Sequence, residues 1–311
     1  MQVPLALITG ASTGIGRATA LRLTASGWTV LAGVREPAAG ERLLADANAA
    51  LAPSAGSSSR GRLIPLQLEV TDDAQIAAAR ERVDQEAATA GSSEEAAGAG
   101  ASGGNGPRSG LDALINNAGI GIGGPLELIP AEDLRKQFEV NVFAQVAVTQ
   151  ALLPALRRAG GRIVFVSSIG GRVAMPFTAP YAASKHAIEA FGDTLRVELR
   201  SSGVTVALVE PGSVATPIWD KSRAEAERVV IPDELQAAYG RVPAAMDKAL
   251  EDTARRGVPP EQVAATIERA LSSPRMKSRY VVGRDAKAML IARRLLPDLV
   301  FDRVARRALG V

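Results

Sequence analysis

Cysteine is absent from the 311 residues, and histidine occurs once, at His186. The first absence excludes disulfides, thiolate metal sites and cysteine nucleophiles. The second leaves no histidine cluster for zinc, and no serine–histidine–aspartate triad unless His186 itself serves. His186 adjoins Lys185 and reads as incidental, so no metal site is expected. Aromatic residues make up only 4% of the chain, so a core must be built from Ala, Val, Leu and Ile. Charge of one sign is scarcely in excess: 36 Lys and Arg against 33 Asp and Glu leave +3. With a sequence pI of about 9.4 the chain is mildly basic, which is no nucleic-acid signature by itself. No apolar run reaches the length of a membrane span. The N-terminus lacks a basic n-region and a cleavage site, so a signal peptide is not expected and the cytoplasm is the expected compartment.

What is present is a hydrophobic content of 47%, enough for a substantial core. Seven short apolar runs read as strands: Leu5 to Ile8, Trp28 to Val34, Arg62 to Val70, Leu111 to Ile115, Arg162 to Val166, Val204 to Val209 and Arg279 to Val282. Helical patterns alternate with them. One follows Gly16, one runs from Asp73 to about Ala90, and one spans Ala131 to Arg158, where Pro154 kinks or ends it. Others carry Tyr181 through about Leu199, start at Pro260, and extend from Asp285 to Leu309. Residues 91–110 are mostly Gly, Ser, Ala and Glu with one Pro, too polar to bury, and read as a disordered insertion within one domain spanning 1–311. The stretch 216–257 follows a strand's carboxyl end, where a substrate lid would sit; the plainer reading is a packing appendage.

The first strand ends in Gly10-Ala11-Ser12-Thr13-Gly14-Ile15-Gly16, with a helical pattern behind it. Strand, glycine turn and helix together favour a bound nucleotide. Glycines let backbone N–H groups approach a pyrophosphate, and the helix N-terminus favours its charge. The second strand ends Val34-Arg35-Glu36. An apolar residue followed by a guanidinium suits a 2′-phosphate and so NADP. The competing reading leaves Arg35 solvated and gives Glu36 to the ribose of NAD. Tyr181 and Lys185 stand four apart, on one face of a helix. An ammonium beside a phenol is expected to stabilise the phenolate and lower the Tyr pKa, which suits proton exchange with a carbonyl or alcohol oxygen. Such pairs are common by chance, and most are solvated helix residues.

The whole set is specific. Thr9-Gly10-Ala11-Ser12-Thr13-Gly14-Ile15-Gly16, Asn116-Asn117-Ala118-Gly119, Asn141, Ser168, Tyr181, Lys185 and Pro211-Gly212 occur in the order of the short-chain dehydrogenase/reductase family, which the chain resembles over nearly its whole length. The resemblance implies an α/β fold, a Rossmann-type, doubly wound, parallel seven-stranded sheet with helices on both faces. It also implies roles. Tyr181 is the general acid/base, Lys185 holds the nicotinamide ribose, Ser168 binds the substrate carbonyl, and Asn141 orders a proton-relay water. Gly10, Ser12, Thr13, Gly14, Ile15 and Gly16 lie along the pyrophosphate and ribose. Asn117, Ala118 and Gly119 border the adenosine ribose, and Glu69 and Val70 lie near the adenine. Pro211, Gly212, Val214 and Thr216 flank the nicotinamide. Two positions depart from the pattern: Glu69 stands where Asp is common, and Thr13 stands where NADP-preferring members often carry a basic residue.

Gly33-Val34-Arg35 and Val209-Glu210-Pro211-Gly212 resemble the steroid and retinol dehydrogenase branch, which implies a bulky apolar alcohol or ketone as substrate. The expected protein is an NADP-dependent oxidoreductase, with NAD as the alternative cofactor and a non-catalytic NADP-binding sensor or scaffold as the alternative class. A homo-oligomer is the family's habit. The Arg-rich helix at 285–311 is expected to pack on the domain, in preference to joining a partner subunit or resting on a membrane surface.

Overall fold

Five of the apolar runs form strands buried along nearly their whole length. Such runs, without polar alternation, belong to a parallel sheet covered on both faces. The computed structural model describes residues 3–51, 61–96, 110–216 and 231–309. In it the five are β1 (Leu5–Ile8), β2 (Thr29–Val34), β4 (Ala113–Asn116), β5 (Arg162–Val166) and β6 (Thr205–Pro211). The edges are β3 (Arg62–Gln67) and β7 (Arg279–Val282), both more exposed. Pro65 donates no ladder hydrogen bond and sits accordingly in an edge strand. All seven strands are parallel, in the order β3-β2-β1-β4-β5-β6-β7. The expected seven-stranded, doubly wound sheet is therefore observed.

Successive residues of a strand face opposite sides. Leu7, Leu31, Phe165 and Leu208 point to one side and pack with Ile76 and Val83 of α3 (Asp73–Ala96), Val148 and Leu152 of α5 (Ala144–Ala159) and Ile188 of α6 (Ala179–Glu198). Ile8, Ala32, Val164 and Val209 point to the other. There they meet Leu23 of α1 (Gly14–Ala25), Leu43 and Ala47 of α2 (Pro37–Ala50) and Val263 and Ile267 of α9 (Pro260–Ser272). Winding runs outward from β1 in one direction, then reverses at β4. That reversal opens a crevice beyond the carboxyl ends of β1 and β4, where such sheets bind ligands.

Several expectations need correction. Helix α2 lies in a stretch to which the pattern assigned nothing, because it buries only Gly40, Leu43 and Ala47. Strand β3 stops at Gln67, so Glu69 and Val70 lie in the loop that follows. Helix α3 continues to Ala96, into the proposed insertion; residues 97–109 lie outside the described residues. The helix expected from Ala131 to Arg158 is α4 (Ala131–Phe138), a π-helical segment at Glu139–Phe143, and α5. Pro154 does not end α5, which continues to Ala159. The missing N–H would have bonded the carbonyl of Gln150, which lies on an exposed residue open to solvent. By length and composition alone the run Ala131–Ala159 matches a membrane span, contrary to expectation, although half of its apolar window is buried in the domain.

The C-terminal helix is two: α10 (Arg284–Leu295) and α11 (Asp298–Leu309). Leu296 is extended because the following Pro297 disfavours helical backbone before it. The pair does pack on the domain: Phe301 and Ala305 bury against Val173, while Leu295 and Leu299 stay exposed. Of the stretch 216–257, residues 217–230, with Trp219, lie outside the described residues. The rest is largely helical, in α7 (Gln236–Tyr239) and α8 (Val242–Arg256).

Candidate active site

The turn after β1 shows why it is glycine. Gly10 and Gly14 have φ of +66° and +55°, in the left-handed region open to glycine. A Cβ on Gly16 would lie 2.2 Å from the Gly10 carbonyl oxygen and 2.5 Å from Asn117 Nδ2. Asn117 Nδ2 donates to the carbonyls of Thr9 and Gly10, at 3.0 Å each. Thr9 Oγ1 accepts in return from the backbone N–H groups of Asn117 and Ala118, at 2.9 and 3.0 Å. The loops after β1 and β4 are thus tied across the crevice. At the N-terminus of α1, Thr13 makes no side-chain cap and no acidic residue occupies the first turn. Its free N–H groups and positive dipole end fit a pyrophosphate. This cradle, too narrow for a side chain at Gly16, fits a dinucleotide.

Val34 and Val70 are buried, and between them Arg35 is exposed. Its Nε lies 4.0 Å from Glu69 Oε2, a loose surface pair that costs a guanidinium little to leave. Glu36 caps no backbone group and stays exposed. Glu69 is turned to its own loop, where Oε1 accepts from the Thr71 hydroxyl at 3.2 Å.

Asn141 sits buried in the π-helical segment. Its Oδ1 accepts from Ile120 N at 2.8 Å, and its Nδ2 donates to Ile120 O at 2.9 Å and to Ser184 Oγ at 3.1 Å. The extra residue of a π turn aims this side chain across to the loop after β4 and to α6. A Cβ on Gly119 would lie 3.2 Å from Asn141 Oδ1, so that loop is held close. Ala118 O accepts from Gln145 Nε2 at 2.9 Å.

Ser168 follows β5 and caps a short turn, its Oγ accepting from Gly170 N at 3.0 Å. It also hydrogen-bonds Tyr181. Lys185, one turn along α6, is buried; its Nζ donates to Val166 O at 2.8 Å and lies 5.8 Å from the centre of the Tyr181 ring. Ser168, Tyr181 and Lys185 therefore meet at the carboxyl end of β5, beside the crevice. The expected fall in the Tyr181 pKa does not occur. Burial pushes the phenol up, and the Ser168 hydrogen bond opposes this. Lys185 is itself drawn down by burial to about 8, with Glu189 opposing.

At the end of β6, Pro211 is buried and Gly212 N donates to Val282 O at 2.8 Å. A Cβ on Gly212 would strike the Asp285 carboxylate at 2.4 Å. Val214 bridges to Val258, and Thr216 closes the described segment half-buried. Sequence reasoning missed the contacts of the loop after β4 with Phe177 and α8. Phe177 holds φ of +64°, unusual for a bulky residue, and its carbonyl accepts from Gly124 N at 2.8 Å. Met246 Cε of α8 comes within 3.0 Å of where a Gly123 Cβ would be. No spacing signals such contacts. Glu189 was also passed over, though it stands four residues after Lys185 on the same helix face.

Residues 4–227 match the family model for short chain dehydrogenases. The NADPH-dependent 3-dehydrocapnine reductase of Ornithobacterium rhinotracheale is 39% identical over 63% of this chain and 70% of its own length. Mouse retinol dehydrogenase 5 is 32% identical over 96% of this chain and 86% of its own. A crystal structure of a short-chain dehydrogenase from Streptomyces avermitilis superposes with a TM-score of 0.70 at 26% identity, covering 98% of this chain and 96% of that one. The chain is an NAD(P)-dependent oxidoreductase belonging to the short-chain dehydrogenase/reductase family, in its retinol and steroid dehydrogenase-like branch.

Proposed function

We propose that this enzyme interconverts a secondary alcohol and its ketone with NADP, acting on a bulky apolar substrate of steroid or retinoid type. The observation that carries the reading is the Ser168–Tyr181 hydrogen bond at the strand end, with Lys185 one helical turn below. When bound, the nicotinamide supplies or accepts the hydride. Ser168 holds the substrate oxygen and stabilises charge developing on it. Tyr181 gives that oxygen its proton in reduction and removes it in oxidation. Lys185 binds the nicotinamide ribose, and its ammonium, added to the field of a bound cofactor, brings the phenol down toward working pH. Asn141 orders the water through which protons reach Lys185.

The glycine turn, from Gly10 through Ser12, Thr13, Gly14 and Ile15 to Gly16, takes the pyrophosphate. Asn117, Ala118 and Gly119 take the adenosine ribose, Glu69 and Val70 border the adenine, and Pro211, Gly212, Val214 and Thr216 hold the nicotinamide. Arg35, exposed beyond a buried Val34, binds the 2′-phosphate. An NADPH-dependent relative supports this preference, and a retinol dehydrogenase among the relatives supports the apolar substrate. The Arg35–Glu69 pair favours a second reading, in which Arg35 is neutralised and NAD is preferred. The stretch 216–257 serves as lid over one domain spanning 1–311. Self-association is supported by exposed Phe143, Phe191 and Val197 beside and on α6.

Fluorescence titration with NADPH and NADH, followed by turnover of a panel of hydrophobic ketones and alcohols, tests the reading. Tighter NADPH binding that Arg35→Ala abolishes is expected. Tighter NADH binding would transfer the ribose to Glu36, and failure of every carbonyl or alcohol to react would remove the activity.

A further inference from the structure

Behind Lys185, on the side away from the glycine turn, lies a buried cluster with no role so far. Glu189 is 5% exposed and stands one turn after Lys185 on α6; Glu210 of β6 is 0% exposed. Arg279 of β7 lies between them, its Nε 3.0 Å from both Glu189 Oε2 and Glu210 Oε1. Its Nη2 reaches Asp193 Oδ2 at 2.6 Å, and Asp193 also takes Arg196 at 3.2 Å near the surface. Arg172, at the end of the Ser168 turn, meets Glu210 Oε1 at 3.1 Å. Packing leaves little slack. A Cβ on Gly171 would lie 3.0 Å from Glu189 Cγ, 3.0 Å from Lys185 O and 2.9 Å from Ser167 Oγ.

A buried ammonium needs compensating negative charge or it surrenders its proton. The only partner of Lys185 Nζ among the described hydrogen bonds is a neutral carbonyl, that of Val166. Of the charged groups facing this region, Glu210 is divided between Arg172 and Arg279, and Asp193 sits toward solvent between Arg279 and Arg196. Glu189 alone shares the helix face of Lys185 at four residues' spacing, where side chains are neighbours. Arg279 anchors Glu189 to β6 and β7, so its carboxylate cannot swing away.

We propose that Glu189 is a positioning residue for the Tyr181–Lys185 pair, fixed by Arg279 so that its carboxylate keeps the Lys185 ammonium charged. Glu189 is pushed up to about 7 by burial and by Glu210, against the Ser167 hydroxyl and Arg279, so it is ionised across the alkaline range in which Lys185 loses its proton. Its removal lets Lys185 deprotonate at lower pH, and the alkaline limb of activity moves down with it.

The kinetic half of this inference rests on the proposed oxidoreductase reaction; a direct titration does not. In full-length protein with isotope-labelled lysine, the Lys185 signal is identified by its loss in Lys185→Arg and followed by NMR against pH. Glu189→Gln is expected to lower the Lys185 midpoint by about one unit, which is about tenfold in protonated fraction above that midpoint. The alkaline limb of kcat/KM should fall by the same amount. Glu189→Asp should restore part of the shift, and it carries the test, with a smaller downward shift, if the Gln variant does not fold. A purely structural role would lower the melting temperature and leave Lys185 where it is. An unmoved Lys185 midpoint in folded variants overturns the proposal. A moved midpoint in a protein without turnover supports it and removes the oxidoreductase reading alone.

Discussion

Gly16 bears no side chain because the Gly10 carbonyl and the Asn117 amide occupy the place one would take. Gly16→Ala forces backbone apart, and overpacking of that kind costs about 1–3 kcal/mol. The expected result is at least about a tenfold loss of NADPH affinity by fluorescence titration, tenfold corresponding to about 1.4 kcal/mol. Lys185 makes a prediction about pH. Its pKa is about 8 folded against 10.5 ordinarily, so between those values the unfolded chain binds more protons. Stability from this group therefore rises as pH rises through that window, and Lys185→Met should remove the rise in urea midpoints measured across it. Glu189 runs the other way: about 7 folded against 4.5 ordinarily, it contributes stability that falls as pH rises between them. At this scale the Tyr181–Lys185 spacing was legible in the sequence, but the direction of the Tyr181 shift was not. Spacing places two residues on one face. It does not reveal that Lys185 would bond Val166 O and leave the phenol to the effect of burial.

The π-helical segment between α4 and α5 is what separates Asn141 from an ordinary helix residue. Its amide satisfies both the N–H and the C=O of Ile120, as a strand would. Asn141→Ala orphans both groups, and each buried unsatisfied group costs about 1–3 kcal/mol. A fall of several degrees in melting temperature is expected together with lost turnover, while Asn141→Asp should lose the bond to Ile120 O and recover neither fully. Hydrophobic periodicity cannot show such a segment, because one added residue only rotates the pattern by a fraction of a turn. The break between α10 and α11 is different. Pro297 was in view, and its effect on Leu296 follows from sterics; the amphipathic pattern on either side masked it. Helix α2 was not read because its Ala-rich sequence sets few large apolar residues at helical spacing, its burial being supplied by Gly40, Leu43 and Ala47.

Across the whole molecule, the strands were readable because parallel strands buried on both faces are bare apolar runs. Their order was not readable from those runs. The family resemblance supplied the doubly wound, parallel arrangement and the shared site of Ser168 and Tyr181, thirteen residues apart in the chain, and the structure supplied the order. The exposed Phe143, Phe191 and Val197 make a further prediction at this scale. Phe143→Asp combined with Val197→Asp should convert an oligomer to monomers in sedimentation velocity without loss of NADPH binding, since neither residue borders the crevice.

The most direct measurement compares Tyr181→Phe with the native enzyme, in turnover and in NADPH affinity side by side. The change removes one hydroxyl and leaves the ring to pack. Turnover is expected to fall by at least about 100-fold, the lower range for loss of a general acid/base, with NADPH binding nearly unchanged. Turnover that survives the substitution within about tenfold, a change of only about 1.4 kcal/mol in the barrier, would contradict Tyr181 as the proton donor and the chemistry built on it.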